Sequence, residues 1–171
     1  MAPDPLIIRR AGEADLEPWS RLWEESARAA FTPLLPDGHR FPEAQPERLR
    51  ARLGDPALAI LVAQAGPDAA LAGFTACGPS RDEDAGPDVG ELRTFFVAAG
   101  RWRQGVGSRL MKAALEFLRE RRYAAVTVWS FAANERANAF YERQGFALDG
   151  GERSEEAWAH ILELRYRRAL P

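Results

Sequence analysis

Residues 97–111 read Val-Ala-Ala-Gly-Arg-Trp-Arg-Gln-Gly-Val-Gly-Ser-Arg-Leu-Met, and the five residues Gln104-Gly105-Val106-Gly107-Ser108 within them decide the fold. An apolar strand pattern, Leu92-Arg93-Thr94-Phe95-Phe96-Val97, runs into this stretch. A helix-periodic pattern leaves it, with Leu110, Met111, Ala114, Leu115 and Leu118 on one face. Glycines at such a strand-to-helix turn let backbone N–H groups close on an anion that the positive end of the helix already favours. The turn therefore reads as a grip for a phosphate or pyrophosphate. Taken alone, it reads equally well as a flexible helix start.

Two familiar phosphate motifs are excluded by the same letters. A P-loop needs Lys and then Ser or Thr after its last glycine, whereas Ser108 and Arg109 follow Gly107. A dinucleotide fingerprint needs a third glycine three residues on, where Leu110 stands, and it usually opens its fold.

Composition narrows the class. With 171 residues, 46% hydrophobic and 28% charged, the chain is expected to form one globular domain over residues 1–171. A net charge of −2 gives no electrostatic case for nucleic acid or membrane partners. Cys77 is the one cysteine and reads as a buried small residue, and the two histidines, His39 and His160, make a metal centre an unpromising expectation. The N-terminal residues carry acids early and no long apolar run, so no signal peptide is expected. No stretch approaches the roughly 20 apolar residues of a membrane span, and a cytoplasmic location is the expectation.

Outward from the turn, the pattern predicts a strand at Leu6–Arg9 and an amphipathic helix over Glu13–Ala30. A proline-rich loop at 33–42 carries apolar side chains that look exposed, and a short helix spans Pro46–Leu53 before Gly54. Leu58–Ala63 and Leu71–Ala76 flank Ala65-Gly66-Pro67-Asp68, a hairpin signal. The strand from Gly90 to Val97 follows the polar segment 79–88, and the helix from Gly105 leads to a strand at Ala125–Trp129. A helix over Asn134–Gln144 stops at Gly145, Phe146–Leu148 begins a strand, Glu152–Glu156 reads as an acidic loop, and Ile161–Tyr166 alternates as a final strand. The order is a meander, a βαβ unit and a closing hairpin, hence a mixed α/β (α+β) class.

A second cluster, Asn134-Glu135-Arg136-Ala137-Asn138-Ala139-Phe140-Tyr141-Glu142-Arg143-Gln144-Gly145-Phe146, sets a polar cap, a short helix and Gly-Phe in order. With Glu91–Val97 and the 103–107 turn, it resembles the GNAT superfamily of acetyl-coenzyme A-dependent N-acetyltransferases. The resemblance implies a twisted, mostly antiparallel sheet of six to seven strands, splayed between the fourth and fifth, with about four helices. One position departs from the pattern: Trp102 stands where the family signature usually has Arg or Gln. Arg103 and Gln104 beside it could serve the same phosphates.

The resemblance also implies roles. Backbone amides of Arg103, Gln104, Gly105, Val106, Gly107 and Ser108 would hold the pyrophosphate of coenzyme A, with Trp102 beside them and Arg101, Arg103 and Arg109 adding positive charge. The pantetheine arm would pair with main-chain groups of Phe96 and Val97, and Asn134 would meet that arm or simply cap its helix. Tyr141 would be the general acid for the departing thiolate, or else a packed aromatic beside Phe140. Glu91, six residues before Val97 and on the same face by strand parity, would be the general base, with a water relay as the alternative. An acceptor wall is expected from Phe31, His39, Phe41 and Trp158. The expected activity is transfer of the acetyl group of acetyl-CoA to a small-molecule primary amine by direct attack. The alternatives are acetylation of a protein N-terminus or lysine, and a non-catalytic acyl-CoA sensor. An exposed final strand could pair across a homodimer.

Overall fold

The patterns resolve, in a computed structural model describing residues 6–66 and 69–171, into a seven-stranded sheet with helices on both faces. Four strands form the meander: β1 (Leu6–Arg10), β2 (Ala59–Ala65), β3 (Leu71–Pro79) and β4 (Val89–Val97). Between the first two lie α1 (Leu16–Phe31) and α2 (Pro46–Leu53). Helix α3 (Val106–Glu120) crosses from β4 to β5 (Ala125–Phe131), and α4 (Glu135–Arg143), β6 (Ala147–Arg153) and β7 (Glu163–Ala169) complete the chain. Strand order is β1-β2-β3-β4-β5-β7-β6, antiparallel throughout except for the β4–β5 pair. The hairpin predicted around residue 66 joins β2 to β3, although Pro67 and Asp68 lie outside the described residues.

Each face has its own apolar cluster. Leu110, Met111, Ala114, Leu115 and Leu118, the predicted stripe of α3, are all buried against Leu92, Val126 and Val128. Leu16, Trp19 and Leu22 of α1 bury against Ile60, Val62 and Phe74 on the other face, where Trp19 meets Phe74 edge to face at 5.5 Å. Fully burying such a side chain is worth about 1.5–3 kcal/mol, so sheet and helices are fastened by the same residues that set their periodicity.

The sheet opens at its centre. β4 pairs with β5 only from Val89↔Ala125 to Leu92↔Val128, while its other edge stays paired with β3 as far as Gly73↔Val97. Residues 93–97 thus leave the β5 side, which is the implied splay. Register shifts at the same place: Cys77 faces Leu92 and Ala76 faces Thr94, so Arg93 is a bulge.

That extra residue corrects the parity reading. Leu92 and Val97 both pack in the cluster under α3, although their numbering would put them on opposite faces of a regular strand. Glu91, paired with Thr127 between the buried Val126 and Val128, points to the α1 face, opposite Val97. Three further expectations change. Glu152 and Arg153 belong to β6 instead of an acidic loop. The last strand, β7, lies between β5 and β6, so β6 is the sheet edge and the exposed large side chain there is Leu148. In the proline-rich loop Leu35 is buried, where the 3-10 turn Thr32–Leu34 continues from α1 and the Leu35 N–H donates to Phe31 O.

Candidate active site

The 97–108 turn is shaped by local backbone chemistry. After a short 3-10 turn at Ala99–Arg101, Arg103 and Gly105 both take left-handed conformations, with φ of 61° and 82°. Alternating handedness of this kind turns successive N–H groups toward one side, and the first-turn N–H groups of α3 have no intrahelical carbonyl partner. Gly107 matters for closeness: a Cβ there would lie 3.2 Å from the Phe140 ring of α4. The donor set is main-chain, convergent and at a helix N-terminus, and so fits a pyrophosphate. The Gln104 side chain turns away to Gly100 O at 2.8 Å, and Val106 buries its side chain in the core, so both can contribute only backbone.

Trp102 has a structural explanation. Its indole N–H donates to Val97 O at 2.9 Å, fastening the turn to the end of β4. The Arg136 guanidinium of α4 lies 3.3 Å from the ring centroid, a cation–π contact across the cleft mouth. Arg136 thus brings a positive charge from α4 to the turn.

From this turn a cavity of about 960 Å³ runs through the splay to the opposite face of the sheet. Phe96, Val97, Gly105, Gly107 and Ser108 line its first part, and Asn134 and Tyr141 line the α4 side. Asn134 is also the helix cap, its side chain accepting from Ala137 N. Tyr141 is 6% exposed, ringed by Phe95, Phe140, Phe146 and Tyr166 at 5.6–6.3 Å. Burial pushes its phenol well above the ordinary value, which keeps it protonated at neutral pH.

Beyond the splay the wall becomes aromatic. Phe31 meets Phe131 at 4.8 Å, Trp158 at 5.4 Å and Phe96 at 5.8 Å. His39 and Phe41 do not line the cavity but support Trp158 from behind, each at 6.2 Å. All four predicted acceptor residues therefore come together, two as wall and two as buttress.

Glu91 is placed differently from its expected role. It is 2% exposed, and Arg81 holds it completely: Nη2 to Oε1 at 2.6 Å, Nε to Oε2 at 3.1 Å and the backbone N–H of Arg81 to Oε2 at 3.0 Å. It does not line the cavity, whereas Arg81 does.

Sequence reading missed several buried polar groups of the cavity wall. Glu163, Thr94 and Ser26 all line the cavity, and Glu163 Oε1, Thr94 Oγ1 and Ser26 Oγ are buried without hydrogen-bond partners. The one available signal was an acid between leucines at the start of a strand, Leu162-Glu163-Leu164. Among the described residues no group of three or more His, Cys, Asp or Glu is placed to hold a metal ion, and no helix is long and apolar enough to cross a membrane.

Comparison with known proteins bears on this geometry. The model of the acetyltransferase (GNAT) family matches residues 18–146. An uncharacterized N-acetyltransferase of Archaeoglobus fulgidus is 31% identical over 160 residues, covering 86% of this chain and 99% of that protein. Among solved structures, the PaiA N-acetyltransferase of Thermoplasma acidophilum in complex with coenzyme A superimposes with a TM-score of 0.78 at 15% identity, over 96% of this chain and 99% of that one. The ribosomal-protein-alanine N-acetyltransferase of Brucella melitensis gives 0.75 at 22%, over 96% and 99%. The splayed sheet, the main-chain anion turn and these likenesses agree: the chain belongs to the acetyltransferase (GNAT) family and is an acetyl-CoA-dependent N-acetyltransferase.

Proposed function

We propose that the chain acetylates a primary amine of a small molecule, with donor and acceptor bound together. The observation that carries this reading is the aromatic wall that Phe31, Phe131 and Trp158 form at the cavity's far end. A recess with an aromatic wall and a few orphaned polar atoms suits a small ligand that presents both an apolar body and a polar group. Binding both substrates at once is supported by the two-sided cleft, since the anion turn and the aromatic recess lie at opposite ends of one cavity through the sheet.

Bound acetyl-CoA supplies the activated acetyl thioester. In this reading the amides of Arg103–Ser108 hold its pyrophosphate, the unpaired edge at Phe96 and Val97 aligns the pantetheine, and Tyr141 protonates the departing thiolate. Alignment in such a site can account for about 7–11 kcal/mol of barrier lowering. Glu91 is assigned to hold Arg81 at the cavity wall.

The test is thiol release over a panel of arylalkyl and alkyl primary amines and alanine-starting peptides. Turnover with amines and not peptides is expected. The reverse preference would move the chain to the protein-acetylating reading, which the likeness to a ribosomal-protein-alanine N-acetyltransferase favours. Coenzyme binding without any thiol release would indicate a sensor.

A further inference from the structure

An amine is a cation at neutral pH and must lose a proton before it can attack, yet Glu91 is saturated by Arg81 and lies outside the cavity. A different carboxylate faces the space where the acceptor would sit. Glu163 opens β7 opposite Phe131, whose ring packs against Phe31 in the aromatic wall. Tyr166, three residues on, belongs with Tyr141 to the cluster under α3, so β-strand alternation sends Glu163 to the other, acceptor face. It is 6% exposed and lines the cavity. One oxygen, Oε2, accepts from Arg153 Nη2 at 3.0 Å, while Oε1 is buried without a partner.

An orphaned carboxylate oxygen is expensive, and a cationic donor is the ligand that removes the cost. Thr94 Oγ1 and Ser26 Oγ, orphaned on the same cavity's wall, offer further acceptors for an ammonium that has three donors. We propose that Glu163 docks the acceptor ammonium through Oε1 and takes its proton. This rests on the reading that the chain acetylates an amine, and it names the group that makes the amine reactive.

The protons balance. The ammonium passes one proton to the Glu163 carboxylate, leaving a neutral amine and a carboxylic acid. The nitrogen lone pair then forms the N–C bond to the acyl carbon, and the C–S bond breaks with its electron pair on sulfur. Tyr141 gives its phenolic proton to that sulfur and recovers one from the newly acylated nitrogen through water. Glu163 returns its proton to solvent. Base and acid thus stand on opposite faces of the sheet, meeting where β4 leaves β5.

The charged groups that face Glu163 are Arg153 of β6, Glu155 just after it, and Arg81 and Arg93 across the cavity. Burial raises the Glu163 carboxyl above the usual carboxylate range against the opposing pull of Arg153, with Glu155 also raising it. A raised base loses activity as pH falls through its elevated value, so the acid limb of kcat/KM for the amine should lie closer to neutrality than an ordinary carboxylate would place it.

The experiment compares wild type, Glu163→Gln and Glu163→Asp with the same amines and peptides, reading kcat/KM for acceptor from pH 5.5 to 9.5 (about the range in which a perturbed carboxylate acts as base). Calorimetry with the amine and with coenzyme A gives binding separately from turnover. Glu163→Gln should lose about 100-fold or more in kcat/KM, bind the amine at least about tenfold more weakly, and lose the acid limb. Its affinity for coenzyme A should be unchanged, and Glu163→Asp should recover part of the activity. A Gln variant that keeps the wild-type rate, the wild-type amine affinity or the acid limb overturns the assignment while leaving the acetyltransferase reading intact. If peptides replace amines as substrates, the same comparison on peptides decides it. A wild type that neither binds nor acetylates any acceptor overturns both.

Discussion

Replacing Arg81 by Met should unfold this protein more readily than neutralising its partner, Glu91. The pair is asymmetric: the Glu91 side chain is 2% exposed, whereas that of Arg81 is 51% exposed. Removing Arg81 leaves a buried carboxylate with one surviving donor, the backbone N–H of residue 81 at 3.0 Å. Breaking a buried pair from this side costs about 3–5 kcal/mol. For a chain of this length each kcal/mol moves the melting temperature by about 2–4 °C, so a drop of roughly 6–20 °C is expected. Glu91→Gln keeps the volume and returns Arg81 to water, and should cost only about 1–2 kcal/mol. The double variant, Arg81→Met with Glu91→Leu, removes both charges and should melt within about 1 kcal/mol of wild type or above it. Thermal melts and urea titrations across pH measure all three variants. Equal losses for Arg81→Met and Glu91→Gln would refute the argument, as would a double variant less stable than Arg81→Met.

Other expectations follow from the same geometry. Tyr141→Phe should lower kcat by about 100-fold or more with little change in melting temperature, checked by thiol release. Asp15, bound by Arg9 at 2.7 and 2.8 Å and by the Gly12 N–H at 2.8 Å, is held below the usual carboxylate range, chiefly by the Arg9 hydrogen bonds. Its contribution is therefore complete above the unfolded value of about 3.9 and is lost as pH falls through the lower folded value. Asp15→Asn should cost about 1–3 kcal/mol at neutral pH and flatten the acid limb of the stability curve. Gly107→Ala should press the Phe140 ring and weaken coenzyme A binding more than it weakens the fold, read by calorimetry. Cys77, fully buried with its thiol pushed up to about 12, should resist alkylation until the protein is unfolded by urea.

Much of this architecture was legible because local signals and burial agreed. The stripe Leu110–Leu118, the glycine stop at Gly145 and the apolar run of β4 predicted elements that the structure contains. The strand-to-helix turn was legible because its glycines are explicit, and Gly105 does take a left-handed conformation before α3. Three things were not. Parity along β4 failed at Arg93, since a bulge is a property of the pairing with β3 and leaves no mark in one strand's pattern. The place of β7 inside the sheet depends on non-local pairing with both β5 and β6. The acceptor carboxylate was hidden because Glu163 becomes special only through what surrounds it: Arg153 on one oxygen and nothing on the other.

The bulge at Arg93 has a consequence for how this enzyme can change. It offsets the alternation of β4 by one residue, so Glu91 and Phe96 share the α1 side of the sheet while Leu92 and Val97 share the α3 side. Deleting that one residue would leave Leu92 and Val97 four apart, the spacing of one face of a regular strand, so Thr94 through Val97 would keep their faces and their β3 partners and only the bulge would go. This strand can therefore shorten at Arg93 without exchanging the faces of Phe96 and Val97, and what it would lose is the Arg93 side chain at the cavity wall.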